Sequence, residues 1–377
     1  MAGLRERILV AMSGGVDSGV AAARLHAQGY EVVGVTLHLW DYPEEGAAGG
    51  HGRCCAPEDQ YDARRTADKL GFAHYTFDRR ELFEETVVTP FVDAYLRGET
   101  PSPCTACNRG VKLGELFKIA DRLGAGYVAT GHYARIVKDE HDVAWLARGR
   151  DATKDQSYFL YAMPQPHLAR MVFPLGDSTK AEVRGEAVER DLPGATKGES
   201  QELCFVGAGK GAYVDFVQQR AEPARIRPGA IVDGTGRVVG AHDGVHRFTV
   251  GQRKGLGVAL GAAAFVTEVD ATSGTVHLGT DEDLFAAGAE LDDLVLARGV
   301  TLPLRAHARI RYRHEGTPAR VVAAPGNGRA VVHFDGSARA VTRGQIAVLY
   351  DGDRVLGGGR ISAPIAPRRR AVLPSHA

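Results

Sequence analysis

The segment Arg7-Ile-Leu-Val-Ala-Met-Ser-Gly-Gly-Val-Asp-Ser-Gly-Val-Ala-Ala-Ala-Arg-Leu-His-Ala-Gln28 decides how the first half of the chain folds. Residues 7–12 form a short apolar run that reads as a strand. Ser13-Gly14-Gly15 breaks that run, and the alanine-rich residues 18–28 read as a helix closed by Gly29. A strand, a glycine turn and a helix in that order aim backbone N–H groups and the positive end of a helix dipole at one point, which suits an anion. The turn lacks the Lys-Ser or Lys-Thr pair of a Walker loop and does not have Rossmann spacing. On turn chemistry alone, a glycine turn capped by Asp17 or Ser18 competes with a nucleotide pocket. The full six residues from Ser13 to Ser18 behind a buried strand favour the pocket.

Outward from this segment the pattern alternates. Residues 31–39 read as a valine-rich strand running into a loop over 41–53, and 57–70 as a helix before a strand near 73–77. Helices fit 80–96 and 109–123, and 126–130 reads as another buried strand. Such alternation implies an α/β domain with a parallel sheet covered on both faces. After about residue 205 the texture becomes short valine- and glycine-rich runs at 229–232, 265–269 and 275–278, then at 306–312, 319–323, 330–334 and 347–350. These imply two small β-rich units with a seam near residue 280. The expected organisation is therefore 1–208, 209–280, 281–364 and a tail over 365–377, the chain from Ala363 onward, with three prolines and Arg368-Arg369-Arg370, reading as disordered.

A chain of 377 residues exceeds one ordinary core, and 44% hydrophobic residues suffice to bury several. The formal net charge is zero, which excludes nucleic-acid binding by bulk charge and leaves local patches to do it. Neither a leader pattern nor a run of roughly 20 apolar residues is present in the sequence, so no membrane association and a cytoplasmic protein are expected. Five cysteines in so long a chain do not make a secreted disulfide framework and read as metal-binding, catalytic or buried.

Cys104-Thr-Ala-Cys107 follows the turn-rich Thr100-Pro-Ser-Pro103 and precedes a helix expected to open at Asn108. A thiol beside a helix N-terminus ionises more readily, and the thiolate is the reactive form. Cys204 lies in Glu199-Ser-Gln-Glu-Leu-Cys-Phe205, where a lone cysteine is more often a small buried hydrophobe. Cys54-Cys55 closes the loop over 41–53 and reads as structural or incidental. Residues 305–313 hold arginines at 305, 309, 311 and 313, and on a strand the odd positions would place three guanidiniums on one face, either solvated or set against phosphates. Arg253 and Lys254, in Gly251-Gln-Arg-Lys-Gly-Leu-Gly257, sit among glycines that permit close approach to a nucleic-acid backbone.

Ser13-Gly-Gly-Val-Asp-Ser18 resembles the loop of the PP-loop ATP pyrophosphatases, adenine-nucleotide α-hydrolase-like domains that leave an adenylate on a substrate oxygen and release pyrophosphate. Thr130-Gly-His-Tyr133, Lys154-Asp-Gln-Ser-Tyr-Phe-Leu160, Phe173-Pro-Leu-Gly176, Leu203-Cys-Phe205, Gly251 to Gly257, Asp351-Gly-Asp353 and Leu356-Gly-Gly-Gly359 then resemble, in order, blocks of the bacterial tRNA-specific 2-thiouridylases. The resemblance covers almost the whole chain and implies an α/β domain followed by two β-rich domains, the last a β-barrel. The implied reaction is ATP-dependent replacement of the 2-oxygen of the wobble uridine, U34, by sulfur, with a magnesium ion on the departing pyrophosphate.

By the same resemblance, Ala11, Met12, Ser13, Gly14, Gly15, Val16, Asp17, Ser18, Leu37 and Gly131 contact ATP, Asp17 being a magnesium or pyrophosphate-loop residue. Cys107 is the nucleophile and Cys204 carries a persulfide supplied by a cysteine desulfurase or a sulfur-relay protein. Cys107 either releases that sulfur through a transient disulfide or acts directly on the adenylated uridine. The extruded base is placed near Ser102, Pro103 and Cys104, and further tRNA contacts fall at His132, Lys154, Asp155, Gln156, Arg311, Tyr312 and Gln345. The implied acceptors are the tRNAs for glutamate, glutamine and lysine. Cys104 departs from the best-known members, which carry aspartate there. Cys104, Cys107 and Cys204 together offer the three thiolates of a [4Fe–4S] cluster with one open iron, an alternative to an acid–base role for the position. Competing readings are an amide-forming ligase of the same loop group, which needs no cysteine relay, and a non-catalytic tRNA-binding protein on an ATP-binding scaffold.

Overall fold

The computed structural model describes residues 6–41, 57–198, 203–207, 209, 211–259 and 261–367. Cys54, Cys55, the loop over 42–53 and residues 368–377 lie outside the described residues. The chain divides into one unit of residues 1–91, 102–216 and 353–355 and another of 92–101, 217–352 and 356–377. Residues 92–101 sort with the second unit, and the first continues to residue 216.

In the first unit β1 (Arg7–Ala11) leads through the glycine turn into α1 (Val16–Ala27), then β2 (Glu31–His38), α2 (Pro57–Leu70) and β3 (Ala73–Asp78). A helical stretch follows, α3 (Arg80–Phe83), a π-helical turn Glu84–Val88 and α4 (Thr89–Leu96), the last running into the second unit. α5 (Pro103–Cys107) passes through a π-helical turn, Asn108–Lys112, into α6 (Leu113–Arg122) and then β4 (Tyr127–Ala129). A hairpin of β5 (Ala134–Lys138) and β6 (Ala144–Arg148), α7 (Gln165–Leu168), β7 (Met171–Val172), α8 (Lys180–Glu189) and α9 (Ala212–Arg220) complete the helices and strands of this half.

The sheet order is β3-β2-β1-β4-β7 and every pairing is parallel, with Ile8 opposite both Val32 and Tyr127. Ile8, Leu9 and Val10 are fully buried, as a central parallel strand covered on both faces must be. Strand order reverses between β1 and β4. Ligands of open parallel sheets settle in the crevice beyond the strand C-termini at that point, which here means the turn after β1 and the residues after β4. α1 is buried nearly all round, and Gly19, Ala21, Ala22 and Ala23 are small enough to let its neighbours pack close. It is tied to α8 by Arg24, which donates to Glu186 at 2.7 Å and to the carbonyl of Pro174 at 2.7 Å.

In the second unit β8 (Gly229–Val232), β9 (Val238–His242), β10 (Phe265–Asp270) and β11 (Thr275–Gly279) form a sheet of order β10-β11-β8-β9 over Ile231, Phe248, Val266, Val276 and Leu278. The remaining strands are β12 (Phe285–Leu296), β13 (Leu304–Arg309), β14 (Thr317–Ala323), β15 (Ala330–Arg339), β16 (Ile346–Asp351) and β17 (Arg354–Ile365). They run β12-β15-β14-β13-β16-β17, and β17 pairs back onto β12 to close a six-stranded barrel. Ala289, Leu291, Ala308, Val321, Val332, Leu349 and Ile361 fill it, small residues alternating with branched ones to suit a narrow interior. The α/β domain with a parallel sheet, followed by β-rich structure ending in a barrel, is as the sequence led us to expect. Among the described residues no helix is long and apolar enough to cross a membrane.

Three local expectations are corrected. The helix expected to open at Asn108 opens at Pro103, whose fixed φ and missing N–H suit the first helical position, so both cysteines of the Cys104/Cys107 pair lie inside it. The strand expected over 306–312 ends at Arg309, and the chain turns there. Arg309 is buried and donates to the carbonyls of His314, at 2.8 Å, and Tyr312, so its guanidinium ties that turn instead of sharing an exposed face with Arg305. Ala363, Pro364 and Ile365, read as the start of a disordered tail, pair with Glu290, Ala289 and Gly288 in the strand that closes the barrel.

Candidate active site

The turn Ser13–Ser18 is built by its own side chains and by the backbone around it. The Ser13 N–H donates to Ser18 Oγ at 3.1 Å, and that hydroxyl donates to the Gly15 carbonyl at 3.0 Å. Gly14 sits at φ +75°, and a Cβ there would stand 1.9 Å from the Asp59 carbonyl oxygen. Only glycine satisfies both conditions. Met12 is anchored by its N–H on Val35 and by Thr36, whose hydroxyl donates to the Met12 carbonyl at 2.7 Å; Ala11 ends β1 and Leu37 is buried in the adjoining strand β2. Val16 is buried in α1 against Leu175 and Val183.

Gly131, just after β4, lies on this turn. A Cβ at Gly131 would come within 2.8 Å of both the Asp17 carbonyl carbon and the Ser18 nitrogen. Asp17 accepts from the Tyr133 hydroxyl at 2.8 Å and holds the Lys180 ammonium through both carboxylate oxygens, at 2.6 and 2.8 Å. On the other side Lys197 bridges Asp59 at 2.7 Å and Asp62 at 2.5 Å. Burial raises the pKa of Asp59 despite Lys197, whereas the Lys197 ammonium, itself opposed by burial, is held charged by its two carboxylates. Gly194, in the stretch that leads toward Cys204, lies against the Gly14 carbonyl, with room of only 3.1 Å for a Cβ. Two ammonium groups thus flank a glycine turn, each held by carboxylates.

His132 is half-buried, its Nδ1 2.8 Å from the Thr130 hydroxyl. Burial, reinforced by Lys112, pushes its pKa down to about 3, so the imidazole is neutral at physiological pH. Gln156 clasps the next residue at both ends, receiving the Tyr133 N–H on its side chain at 3.0 Å and donating its own N–H to the Tyr133 carbonyl at 2.8 Å. Asp155 is buried, its carboxylate accepting from the N–H groups of Gly149 and Ser157. Gln156 and Asp155 therefore have bonds that shape the loop, and Lys154 is half-buried beside them.

The same loop reaches the cysteine helix, because Asn108 Nδ2 donates to the Phe159 carbonyl at 3.3 Å. Ser102 precedes α5 and exchanges a hydroxyl hydrogen bond with Thr105 at 2.9 Å; Pro103 is buried, Cys104 is exposed and Cys107 is buried. Cys204 is half-buried, and none of the three forms a disulfide. Among the described residues no group of three or more His, Cys, Asp or Glu side chains is arranged to hold a metal ion. Cys104, Cys107 and Cys204 are accordingly not gathered as the three-thiolate set that an open-iron cluster needs. Asp17 is likewise engaged by Lys180 and Tyr133 and not arranged with other acids as a magnesium site.

In the second unit, Arg311 is exposed at the turn after β13 and donates to the Arg339 carbonyl at 3.1 Å, Tyr312 is half-buried in the same turn, and Gln345 is half-buried with its carbonyl accepting from Ile361. Residues that sequence reasoning passed over include Tyr133, Lys180, Lys197, Asn108 and Phe205. A signal for Lys180 existed: Thr179-x-x-Glu182 is a capping box, and it marks the helix start where that lysine stands. No sequence pattern marks Asn108, which is buried with Oδ1 lacking any hydrogen-bond partner directly after Cys107.

Three family profiles match in order along the chain: the tRNA methyl transferase HUP domain over residues 6–208, the tRNA methyl transferase PRC-barrel domain over 214–280 and the aminomethyltransferase beta-barrel domain over 293–361. Fold and site together define a HUP-domain protein extended by two β-barrel-type modules. The tRNA-specific 2-thiouridylase MnmA of Sorangium cellulosum is 62% identical over 363 residues, covering 95% of this chain and 93% of that protein. Those of Moorella thermoacetica and Geobacter metallireducens are 48% and 46% identical, covering 94% and 95% of this chain and 99% and 97% of the relatives. The chain belongs to the tRNA-specific 2-thiouridylase family.

Proposed function

We propose that this protein is a cytoplasmic sulfurtransferase that 2-thiolates the wobble uridine of tRNA at the expense of ATP, with domains over 1–208, 209–280 and 281–364. The observation that carries the reading is the glycine turn after β1, closed over by Gly131 just after β4 and linked through Tyr133, Gln156 and Phe159 to the helix that bears Cys107. This run of contacts supports a reading in which the turn holds the nucleotide and Cys107 serves the same site.

Residues 11–18, with Leu37 and Gly131, would take MgATP, the metal arriving on the polyphosphate. Uridine O2 attacks the α-phosphate and pyrophosphate leaves, which converts a poor leaving oxygen into that of an AMP monoester. Lys180 and Lys197 would exchange part of their bonds to Asp17 and to Asp59 and Asp62 for the charge developing on the pyrophosphate. Cys204, charged as a persulfide by a cysteine desulfurase or relay protein, delivers its outer sulfur to C2 as AMP departs. Cys107 then attacks the Cys204 sulfur, freeing the 2-thiocarbonyl and leaving a Cys107–Cys204 disulfide that an external thiol reduces before the next turnover. Ser102, Pro103 and Cys104 would border the extruded base, with His132 as a neutral hydrogen-bonding group, Lys154 with its loop neighbours Asp155 and Gln156, and Arg311, Tyr312 and Gln345 on the tRNA. The tRNAs for glutamate, glutamine and lysine are the proposed acceptors.

The test is nucleoside mass spectrometry after incubation with ATP, a persulfide donor and unmodified tRNA. The wild type should form 2-thiouridine, and C107S and C204S should form none while binding ATP normally. Product formation undiminished in C204S would overturn the relay.

A further inference from the structure

Arg225 closes a single 3₁₀ turn, Pro223–Arg225, and Ile226 after it is extended at φ −90° and ψ 109°. Arg227 precedes Pro228, which also disfavours a helical backbone at that position. In an extended chain, residues two apart point to the same side, so Arg225 and Arg227 face one way. That side is a cavity of about 210 Å³ within the second unit, walled by both arginines, by Arg97 at the end of α4 and by small or apolar residues including Val245, Ala271 and Gly274. Among the described residues no carboxylate lines it. Arg225 is oriented by Asp93 at 2.7 Å. Arg97 has only a long contact, 3.4 Å, with Glu99, a buried carboxylate that also lies 3.4 Å from Arg360 and 3.9 Å from Arg343. Glu99 is thus divided among Arg97, Arg343 and Arg360, the last also paired with Asp292 at 3.2 Å, so it compensates Arg97 only in part. Arg227 is exposed and makes no ion pair or side-chain hydrogen bond among the described residues.

Three convergent guanidiniums with no lining acid match a phosphate, which arginine binds through paired N–H groups. The space falls short of the roughly 300 Å³ at which pockets begin to enclose whole small ligands, so it suits a phosphate with part of its sugar and not a complete nucleotide. A chain of zero formal charge can hold RNA only through such local surpluses. We propose that the Arg97–Arg225–Arg227 cavity seats a backbone phosphate of the RNA substrate and so fixes the register of the tRNA without reading its sequence. This rests on the reading that the protein acts on tRNA.

The experiment is equilibrium binding of labelled, unmodified tRNA to the full-length protein, without ATP or a sulfur source, over a KCl series. R227A and R97A/R227A should weaken binding several-fold, and the slope of log affinity against log salt should shrink by about 0.9 for each phosphate contact removed. R227K should keep the slope and lose part of the affinity. Wild-type affinity and slope in both alanine variants, with melting temperatures confirming that they are folded, would overturn the proposal. So would equal slopes combined with a stabilisation by orthophosphate that the wild type shows and R227A lacks, because the cavity would then serve a free anion. A wild type that binds tRNA in this register yet forms no 2-thiouridine would overturn only the function proposed above, whereas one that binds no tRNA would overturn both.

Discussion

The Lys180 ammonium lies 2.6 and 2.8 Å from the two carboxylate oxygens of Asp17, so the only acid of the glycine turn is neutralised by the first residue of α8, across 163 positions of sequence. A carboxylate aimed at incoming phosphates would repel them; paired with Lys180, the turn presents N–H groups and a cation instead. Lys180→Met should therefore weaken ATP binding by about tenfold or more, the scale of a lost hydrogen bond to a charged group. Lys180→Arg should recover part of it, and tRNA affinity should not move. Calorimetric titration with ATP decides the point, and a K180M protein that binds ATP like the wild type would sink the assignment.

Gly131 makes a steric prediction that needs no ligand. A Cβ at this position, just after β4, would stand 2.8 Å from backbone atoms of Asp17 and Ser18, and backbone cannot step aside as a flexible side chain does. Gly131→Ala should cost roughly 1–3 kcal/mol in urea unfolding, as overpacking does, and should also weaken ATP binding. Gly126, five residues earlier, has nothing within 4 Å of an added Cβ, so Gly126→Ala should stay within about 0.5 kcal/mol of the wild type. Equal effects at the two positions would mean that the contact is not tight in solution.

The contrast between those glycines also marks what the sequence made legible. The strand, turn and helix from Arg7 to Ala27 and the valine-rich β2 could be read because burial on both faces leaves unbroken aliphatic runs. The hairpin of β5 and β6 escaped because Ala134–Lys138 and Ala144–Arg148 mix apolar with charged residues and are too short for a period to show. Arg309 misled because three arginines at alternate positions look the same whether or not the strand continues, and only the carbonyls of Tyr312 and His314 reveal a turn. The site's chemistry-bearing residue types were visible, but their partners were not. Lys180 on Asp17 and Gln156 on Tyr133 are pairings between elements, and local sequence carries no record of them.

Buried and half-buried imidazoles predict how stability depends on pH. His74, His132 and His246 all have lowered pKa values, burial being the first cause in each, with Arg64, Lys112 and Arg247 respectively adding to it; His132 is pushed down to about 3. Both ring nitrogens of His246 are buried without a hydrogen-bond partner. In the unfolded chain these groups take up protons near pH 6.5. Below that pH the unfolded state binds protons that the folded state refuses, so their stabilisation, complete above about pH 7, is lost as the pH falls. A histidine kept neutral by the fold contributes a loss approaching 1.4 kcal/mol per pH unit below its unfolded pKa. Urea midpoints should drop between about pH 7.5 and pH 5.5, and His132→Gln should flatten the slope. Identical midpoints at the two pH values would rule this out.

Cys204 is positioned by its neighbour. Phe205 is buried among aromatic rings, with its centroid 5.1 Å from Phe91, 5.4 Å from Phe216, 5.6 Å from Phe83 and 6.1 Å from Trp40, all edge-on. Edge-to-face contacts of this kind fix a ring's orientation as well as its depth, so the backbone at 204 inherits a defined place from a side chain that has no chemistry of its own. Phe205→Ala empties the centre of the cluster and should release the Cys204 segment before it unfolds the sheet. Trp40 reports this directly once Trp145, the only other tryptophan, is replaced by phenylalanine. In that background F205A should shift the Trp40 emission to the red and speed alkylation of Cys204. Formation of 2-thiouridine should fall by about a hundredfold, the scale of a reacting group displaced by an ångström, with ATP affinity unchanged. Phe205→Leu, which refills part of the space, should restore most of the rate. If F205A alters the fluorescence but thiolates at the wild-type rate, the aromatic cluster holds the chain together without placing the sulfur.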